Sequence, residues 1–189
     1  MPKPDMRLED RAAIGDLMAR YARAVDRREW EAVRATYFPD AYDDHGEFKG
    51  GTDEFITWVS RRHEKVVQSM HFLGNCLIEF TGDDVAFVET YFIARQTYSA
   101  DAAAARTMVG TDDPVPMEAE IWGRYIDVME RRAGEWRTAR RTVAFEVLQA
   151  HRQTSLPLAS SWALARRDAD DPSYTMRRLA LERARKKTG

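Results

Sequence analysis

Apolar positions in the first third of the chain recur on a helical period. Ile14, Leu17, Met18, Tyr21 and Val25 fall on one face, which predicts an amphipathic helix over about residues 8–25. Trp30, Val33, Arg34 and Tyr37 predict a shorter second helix, stopped by Pro39. AYDDHGEFKGG reads as a strand or hairpin ending at Gly50 and Gly51. Thr52 or Asp53 then caps a third helix with Phe55, Trp58, Val59 and Val66 on one face.

Beyond that helix the period shortens to that of strands. MHFLGNCLIEF, VAFVETYFIARQTY, EAEIWGRYIDVMER and EWRTARRTVAFEVL are rich in β-branched and aromatic residues. Thr81-Gly82-Asp83-Asp84 and Arg132-Ala133-Gly134-Glu135 separate them as short turns, so the four segments predict an antiparallel meander. Residues 99–117, with an alanine run and Pro114 and Pro116, form a long connection of the kind that serves as a lid or stays disordered. Three helices laid against a curved antiparallel sheet make an α+β cone with a closed end and an open mouth, a shape that encloses a pocket. The cone is expected to occupy residues 1–148 with 99–117 as an insertion, and 149–189 to be a partly helical or disordered extension. SLPLASSW, DADDP and the basic YTMRRLALERARKKTG read there as a solvated or frayed end; the alternative is a segment packed over a pocket or a neighbouring subunit.

Composition narrows the classes. At 44% hydrophobic and 11% aromatic the chain can bury a core, and a net charge of −2 gives no general pull toward nucleic acid or anionic lipid. MPKPDMRLED lacks the apolar stretch of a signal peptide and no run reaches membrane-spanning length, so a cytoplasmic protein is expected. Cys76 is the only cysteine, which excludes an internal disulfide and a cysteine metal cluster; alternation places it opposite His71, as core packing.

The chemistry starts at Asp26, in RYARAVDRREW. A carboxylate near a helix C-terminus meets the negative end of the dipole. Asp26 and Glu29 before Trp30 and Val33 have the form of a capping box, so a cap and a chemical role are both open. His71 adds to the second, because alternation in SMHFLGNCLIEF puts His71, Leu73, Asn75, Leu77 and Glu79 on one face, a mixture that suits a polar cavity wall. Tyr21, Tyr125 and the strand pair Tyr91 and Arg95 are further candidates for contacting a ligand, with core packing or an edge charge as the alternative. His45 lies beside Asp43 and Asp44, yet Asp43, His45 and His71 match no metal-motif spacing, and no metal is expected. His63 reads as part of a solvated helix face, and His151 lies in the extension. No glycine-rich phosphate loop, HExxH or GxSxG occurs, so neither a nucleotide nor a covalent serine or cysteine nucleophile is implied.

AIGDLMARYARAVDRREWEAVRATYFPDA, SMHFLGNCLIEF and GRYIDVMERRAGEWRTARRTV together resemble the SnoaL-like branch of the nuclear transport factor 2 superfamily, over roughly residues 8–147. Within it the pattern is similar to scytalone dehydratase, hexachlorocyclohexane dehydrochlorinase and bile acid 7α-dehydratase. The resemblance implies that Asp26, after the first helix, orients His71 at the start of a central strand. It also implies that Tyr21 matches a substrate-contacting tyrosine, and that His45 stands where a tyrosine helps hold a water. The second histidine of scytalone dehydratase falls near Arg95, a departure from that enzyme's pattern.

The resulting expectation is a cofactor-independent lyase, with a His71–Asp26 dyad acting on a small hydrophobic cyclic or aromatic substrate. An isomerase or cyclase using the same dyad, or a non-catalytic small subunit of the same fold, is the alternative. The open sheet face, with Trp122, Val128 and Val143, predicts a homodimer or homotrimer. No nucleic-acid or membrane partner is expected.

Overall fold

The computed structural model describes residues 6–188. Helix α1 spans Leu8–Arg27 and α2 only Trp30–Arg34. Strand β1, Tyr37–Asp44, pairs with the short β2, Lys49–Gly51, as the hairpin expected of AYDDHGEFKGG. Helix α3 covers Thr52–Arg62, β3 Val66–Phe80 and β4 Val85–Tyr98. A short α4, Ala103–Val109, precedes β5, Met117–Arg132, and β6, Glu135–Arg152; α5 follows at Pro172–Thr188.

One curved six-stranded sheet has the order β2-β1-β6-β5-β4-β3. The last four strands form the expected antiparallel meander, while β1 joins β6 in parallel. The sheet is unclosed. Its concave side packs on α1 through Ile14, Met18, Tyr21 and Val25 and on α3 through Phe55, Ile56 and Val59, all buried with Phe92, Tyr125 and Val143. This is the α+β cone read from the pattern.

Several local expectations change. Pro39 does not stop a helix; it lies inside β1, where pairing with β6 slips between Tyr37 and Tyr42, so its missing N–H breaks no ladder. Neither Thr52 nor Asp53 caps α3. Gly51 is the cap residue, its N–H bonded to Glu54 Oε2 at 2.9 Å, while the Thr52 hydroxyl bonds Phe38 O at 2.8 Å. Val66 belongs to β3, where it is buried.

Bulges account for the misjudged faces. Leu73 pairs with Phe92 but Cys76 with Thr90, so β3 carries an extra residue there. That slip exchanges the faces of the strand: Ile78 turns inward and Leu77 and Glu79 turn out to solvent rather than facing the cavity, while Cys76, opposite Thr90 on the inner face, is exposed rather than packed in the core. On β6 the register slips opposite Val128/Met129 and Trp122/Gly123. Trp136 and Thr138 face inward before the first slip, Arg141 and Val143 after it. Val143 is therefore buried, whereas Trp122 and Val128 lie on the exposed face as expected.

Gly123 permits this packing: a Cβ there would stand 2.4 Å from Ala144 O and 3.1 Å from the Phe92 ring. Within 99–117, Ala102 and Ala105 at α4 pack with Val66, Tyr98 and Met117 as a second small core. Among the described residues no helix is long and apolar enough to cross a membrane.

Candidate active site

A cavity of about 430 Å³ opens between α1, α3 and the concave sheet. Tyr21 and Val25 line it from α1, His45 from the hairpin, Trp58, Arg62 and His63 from the end of α3, and His71 from β3. Phe92 and Gln96 on β4, Tyr125 on β5 and Val143 on β6 complete the walls. The Phe92 and Tyr125 rings stack at 4.3 Å between centroids, giving a flat aromatic surface.

Asp26 lies in the last turn of α1 and does not cap α2, whose N-cap residue is Glu29. Its carboxylate crosses to β3. Oδ1 is 2.7 Å from His71 Nδ1, Oδ2 accepts the His71 backbone N–H at 2.8 Å, and the Ser69 hydroxyl donates to Oδ1 at 2.8 Å. Burial alone would raise the carboxyl pKa; the hydrogen bond and charge of His71, its backbone N–H and Ser69 outweigh that and hold it below the ordinary value. A carboxylate takes a donor, so Nδ1 carries a proton, and the neutral form of the ring is the tautomer with its lone pair on Nε2. Among the described residues Nε2 has no protein partner.

The unfavourable place of an acid at a helix C-terminus is relieved by Arg167, from the chain after β6. It donates to Asp26 O at 2.7 Å, Val25 O at 3.1 Å and Val66 O at 2.7 Å. Arg167 Nη2 also reaches His63 Nδ1 at 2.7 Å. His63 is not on a solvated face: it is 3% exposed and C-caps α3. Burial, then the charges of Arg167 and of His71, push its imidazole down to about 2, so it stays neutral. Asp171 fastens the same strap, accepting from Arg27 at 3.3 Å and from the Arg166 backbone N–H at 2.9 Å. Met176, Leu179 and Leu181 of α5 remain exposed.

A second polar cluster lies under the other wall. Asp43 Oδ1 bonds His45 Nδ1, and Asp43 Oδ2 accepts the Tyr37 hydroxyl at 2.8 Å. Arg141, 1% exposed, forms a fork with Asp127 at 2.7 Å on both oxygens and reaches the Tyr37 hydroxyl at 3.1 Å. Its guanidinium sits between Tyr21 and Tyr125, 4.2 and 4.4 Å from their ring centroids. Burial raises the Tyr21 phenol to about 12, against the opposing charge of Arg141, so Tyr21 is a hydroxyl donor and not a phenolate. Burial carries Tyr125 well above its ordinary value too.

Of the candidate ligand contacts, the structure brings Tyr21, His45 and Tyr125 to the cavity with His71 and leaves two outside. Tyr91 and Arg95 point to the outer face because β4 turns Phe92, Ala94 and Gln96 inward. Tyr91 is exposed, and Arg95 pairs with Glu118 at 3.2 Å. Among the described residues no three His, Cys, Asp or Glu side chains gather as a metal site, so Asp43, His45 and His71 do not form one. Arg141, Asp127, His63 and Arg167 escaped the sequence reading. Asp127 left a signal: it shares the inward alternation of Tyr125 and Met129, an acid on a core face.

A family model described as SnoaL-like domain matches residues 6–142. Among solved structures, a candidate scytalone dehydratase from Novosphingobium aromaticivorans superposes with TM-score 0.63 at 20% identity, covering 77% of this chain and 89% of that one. A type 2 hexachlorocyclohexane dehydrochlorinase, LinA, gives TM-score 0.66 at 18% identity over 82% of this chain and 97% of its own. Rv3472, a protein of unknown function from Mycobacterium tuberculosis, gives 0.59 at 21% identity and covers 95% of this chain and 92% of its own. At these identities the likeness is one of fold. No curated protein matches the sequence.

Proposed function

We propose, from the premise that the chain belongs to the SnoaL-like domain family, that it is a cofactor-independent lyase acting on a small hydrophobic cyclic or aromatic molecule. The observation that carries this is the double link between Asp26 and His71 at the edge of an aromatic cavity. His71 Nε2 takes a proton from a carbon beside an activating group. Asp26 holds the ring in the required tautomer and stabilises the imidazolium that forms. Electrons of the broken C–H bond become a double bond as the group on the adjacent carbon departs. The Tyr21 hydroxyl and the flat Phe92–Tyr125 surface position the substrate. A purely structural subunit of this fold has no use for an imidazole anchored at two points.

The fold supports this reading, since the dehydratase-like and dehydrochlorinase structures share it. The base is tested with 5-nitrobenzisoxazole, a flat aromatic compound whose ring opens on loss of one proton and yields a coloured phenolate. His71→Ala is expected to lower its turnover by roughly 10²–10⁴, the range for a positioned general base. Equal rates in wild type and variant, with the fold intact by circular dichroism, refute the proposal.

A further inference from the structure

The cavity holds a second imidazole anchored like the first. His45 follows the last residue of β1, and β1 and β3 are separated in the sheet by β6, β5 and β4. Its Nδ1 bonds the carboxylate of Asp43, 1% exposed, and its backbone N–H bonds Phe48 O at 2.8 Å. The ring stacks on Phe55 with centroids 4.9 Å apart. Among the described residues its Nε2 has no protein partner, as with His71, and both rings line the same cavity.

Charge separates the two. Beneath His45 lie two carboxylates, Asp43 and Asp127, and one guanidinium, Arg141, so an imidazolium at His45 makes the buried cluster neutral. The other charged groups around the ring are matched among themselves: Asp44 with Lys49 at 2.9 Å, and Glu47 with Arg62 at 3.2 Å. His63, across the cavity, is neutral. Asp26, by contrast, already has three donors of its own, and Arg167 stands at its backbone carbonyl.

We infer that His45 is the proton donor to the departing group, and that this group is a hydroxyl or ether oxygen rather than a halide. The inference rests on His71 being the general base. As His71 Nε2 removes the proton from carbon, the C–O bond on the neighbouring carbon breaks and its electron pair takes the proton of His45 Nε2. The products are an alkene conjugated to the activating group and water or an alcohol. His71 is left protonated and His45 neutral, and exchange with solvent resets both. A halide departs as a stable anion and makes no use of a donor, whereas hydroxide and alkoxide are poor leaving groups without one.

The test uses 4-aryloxybutan-2-ones whose leaving phenols run from 4-nitrophenol to unsubstituted phenol. Phenol release is followed in wild type, His45→Gln, His45→Ala and His71→Ala. Wild-type rates are expected to vary little along the series. His45→Gln should lose only a few-fold on the nitrophenyl ether but roughly 10²-fold or more on the phenyl ether, within the range for a general acid. Added imidazole should restore phenyl ether turnover in His45→Ala. Each comparison is a ratio within one variant, so partial loss of folded protein cancels. Parallel losses along the whole series in His45→Gln overturn the donor role and leave His71 as the base. Release undiminished in His71→Ala, or no release of any phenol by the wild type, overturns the base and the donor together.

Discussion

Asp26 holds His71 at two points, the ring Nδ1 at 2.7 Å and the backbone N–H at 2.8 Å. One carboxylate thus fixes both the tautomer of the imidazole and the height of its strand against α1. Both contacts are donors facing an acceptor, and this decides what an amide does there. Asp26→Asn has one oxygen for two N–H groups, and its NH₂ must face one of them. Turnover of 5-nitrobenzisoxazole is expected to fall about tenfold or more, and urea stability by about 1.5–3 kcal/mol for lost charge-assisted bonds. The double variant with His71→Ala should be no slower than His71→Ala alone, since both residues serve one proton transfer. Additive losses would show that Asp26 acts elsewhere.

How far the sequence carried this picture depended on whether a signal was local. Helical spacing at Ile14, Met18, Tyr21 and Val25 reports a buried face directly, and the core confirms it. The turns at 81–84 and 132–135 likewise separate β3 from β4 and β5 from β6. Strand faces were legible only up to the first bulge. One extra residue on β3 moves Leu77 to the outer face, and one slip on β6, between Thr138 and Arg140, carries Arg141 and Val143 inward. No composition cue marks such a slip, because the pairing that creates it lies on another strand. The contacts of the tail were hidden for a similar reason. Arg167 matters through carbonyls of Val25, Asp26 and Val66, partners more than a hundred residues away.

Burial of His63 makes stability depend on pH. Its folded pKa is held near 2 against an ordinary 6.5, so below pH 6.5 the unfolded chain binds a proton that the folded chain refuses. Folding stability therefore falls as pH drops through that window. The loss attributable to His63 is about 2 kcal/mol between pH 7.5 and pH 5. Urea unfolding at the two values measures it, and His63→Gln should flatten the dependence by that amount. An unchanged slope in His63→Gln would mean that the ring titrates normally in the folded state.

Arg167 fastens the strap after β6 to the end of α1; its removal takes the donor from Asp26 O, while Val25 O keeps the Arg28 backbone N–H at 3.2 Å and Val66 O keeps the Arg28 guanidinium. Arg167→Ala is expected to lower stability by about 1–3 kcal/mol, in the range for one unsatisfied buried acceptor. Because Asp26 sits in that same turn, the variant should also slow proton abstraction, although Arg167 touches neither the His71 ring nor its Nε2. Arg167→Lys keeps the charge but lacks the fork that reaches several oxygens at once, and should recover only part of the stability. A melting temperature unchanged in Arg167→Ala would show that the strap is not anchored there.

On the outer face of the sheet, Phe72, Ile93, Trp122 and Val147 are successive cross-strand partners along one row from β3 to β6. Phe72 is 65% exposed and Trp122 44%, with Met70 and Leu77 exposed nearby on β3. At about 25 cal/mol per Å², covering such a row stabilises by several kcal/mol, and a second copy of the chain presents a matching row. A dimer or trimer through this face is therefore expected at micromolar concentration in sedimentation. Trp122→Glu places a charge at the middle of the row and should shift the equilibrium to monomer while leaving the cavity, on the other side of the sheet, intact. A wild type that sediments as monomer would count against the interface. So would a Trp122→Glu variant that assembles as tightly as the wild type, because a desolvated glutamate in an apolar contact is costly.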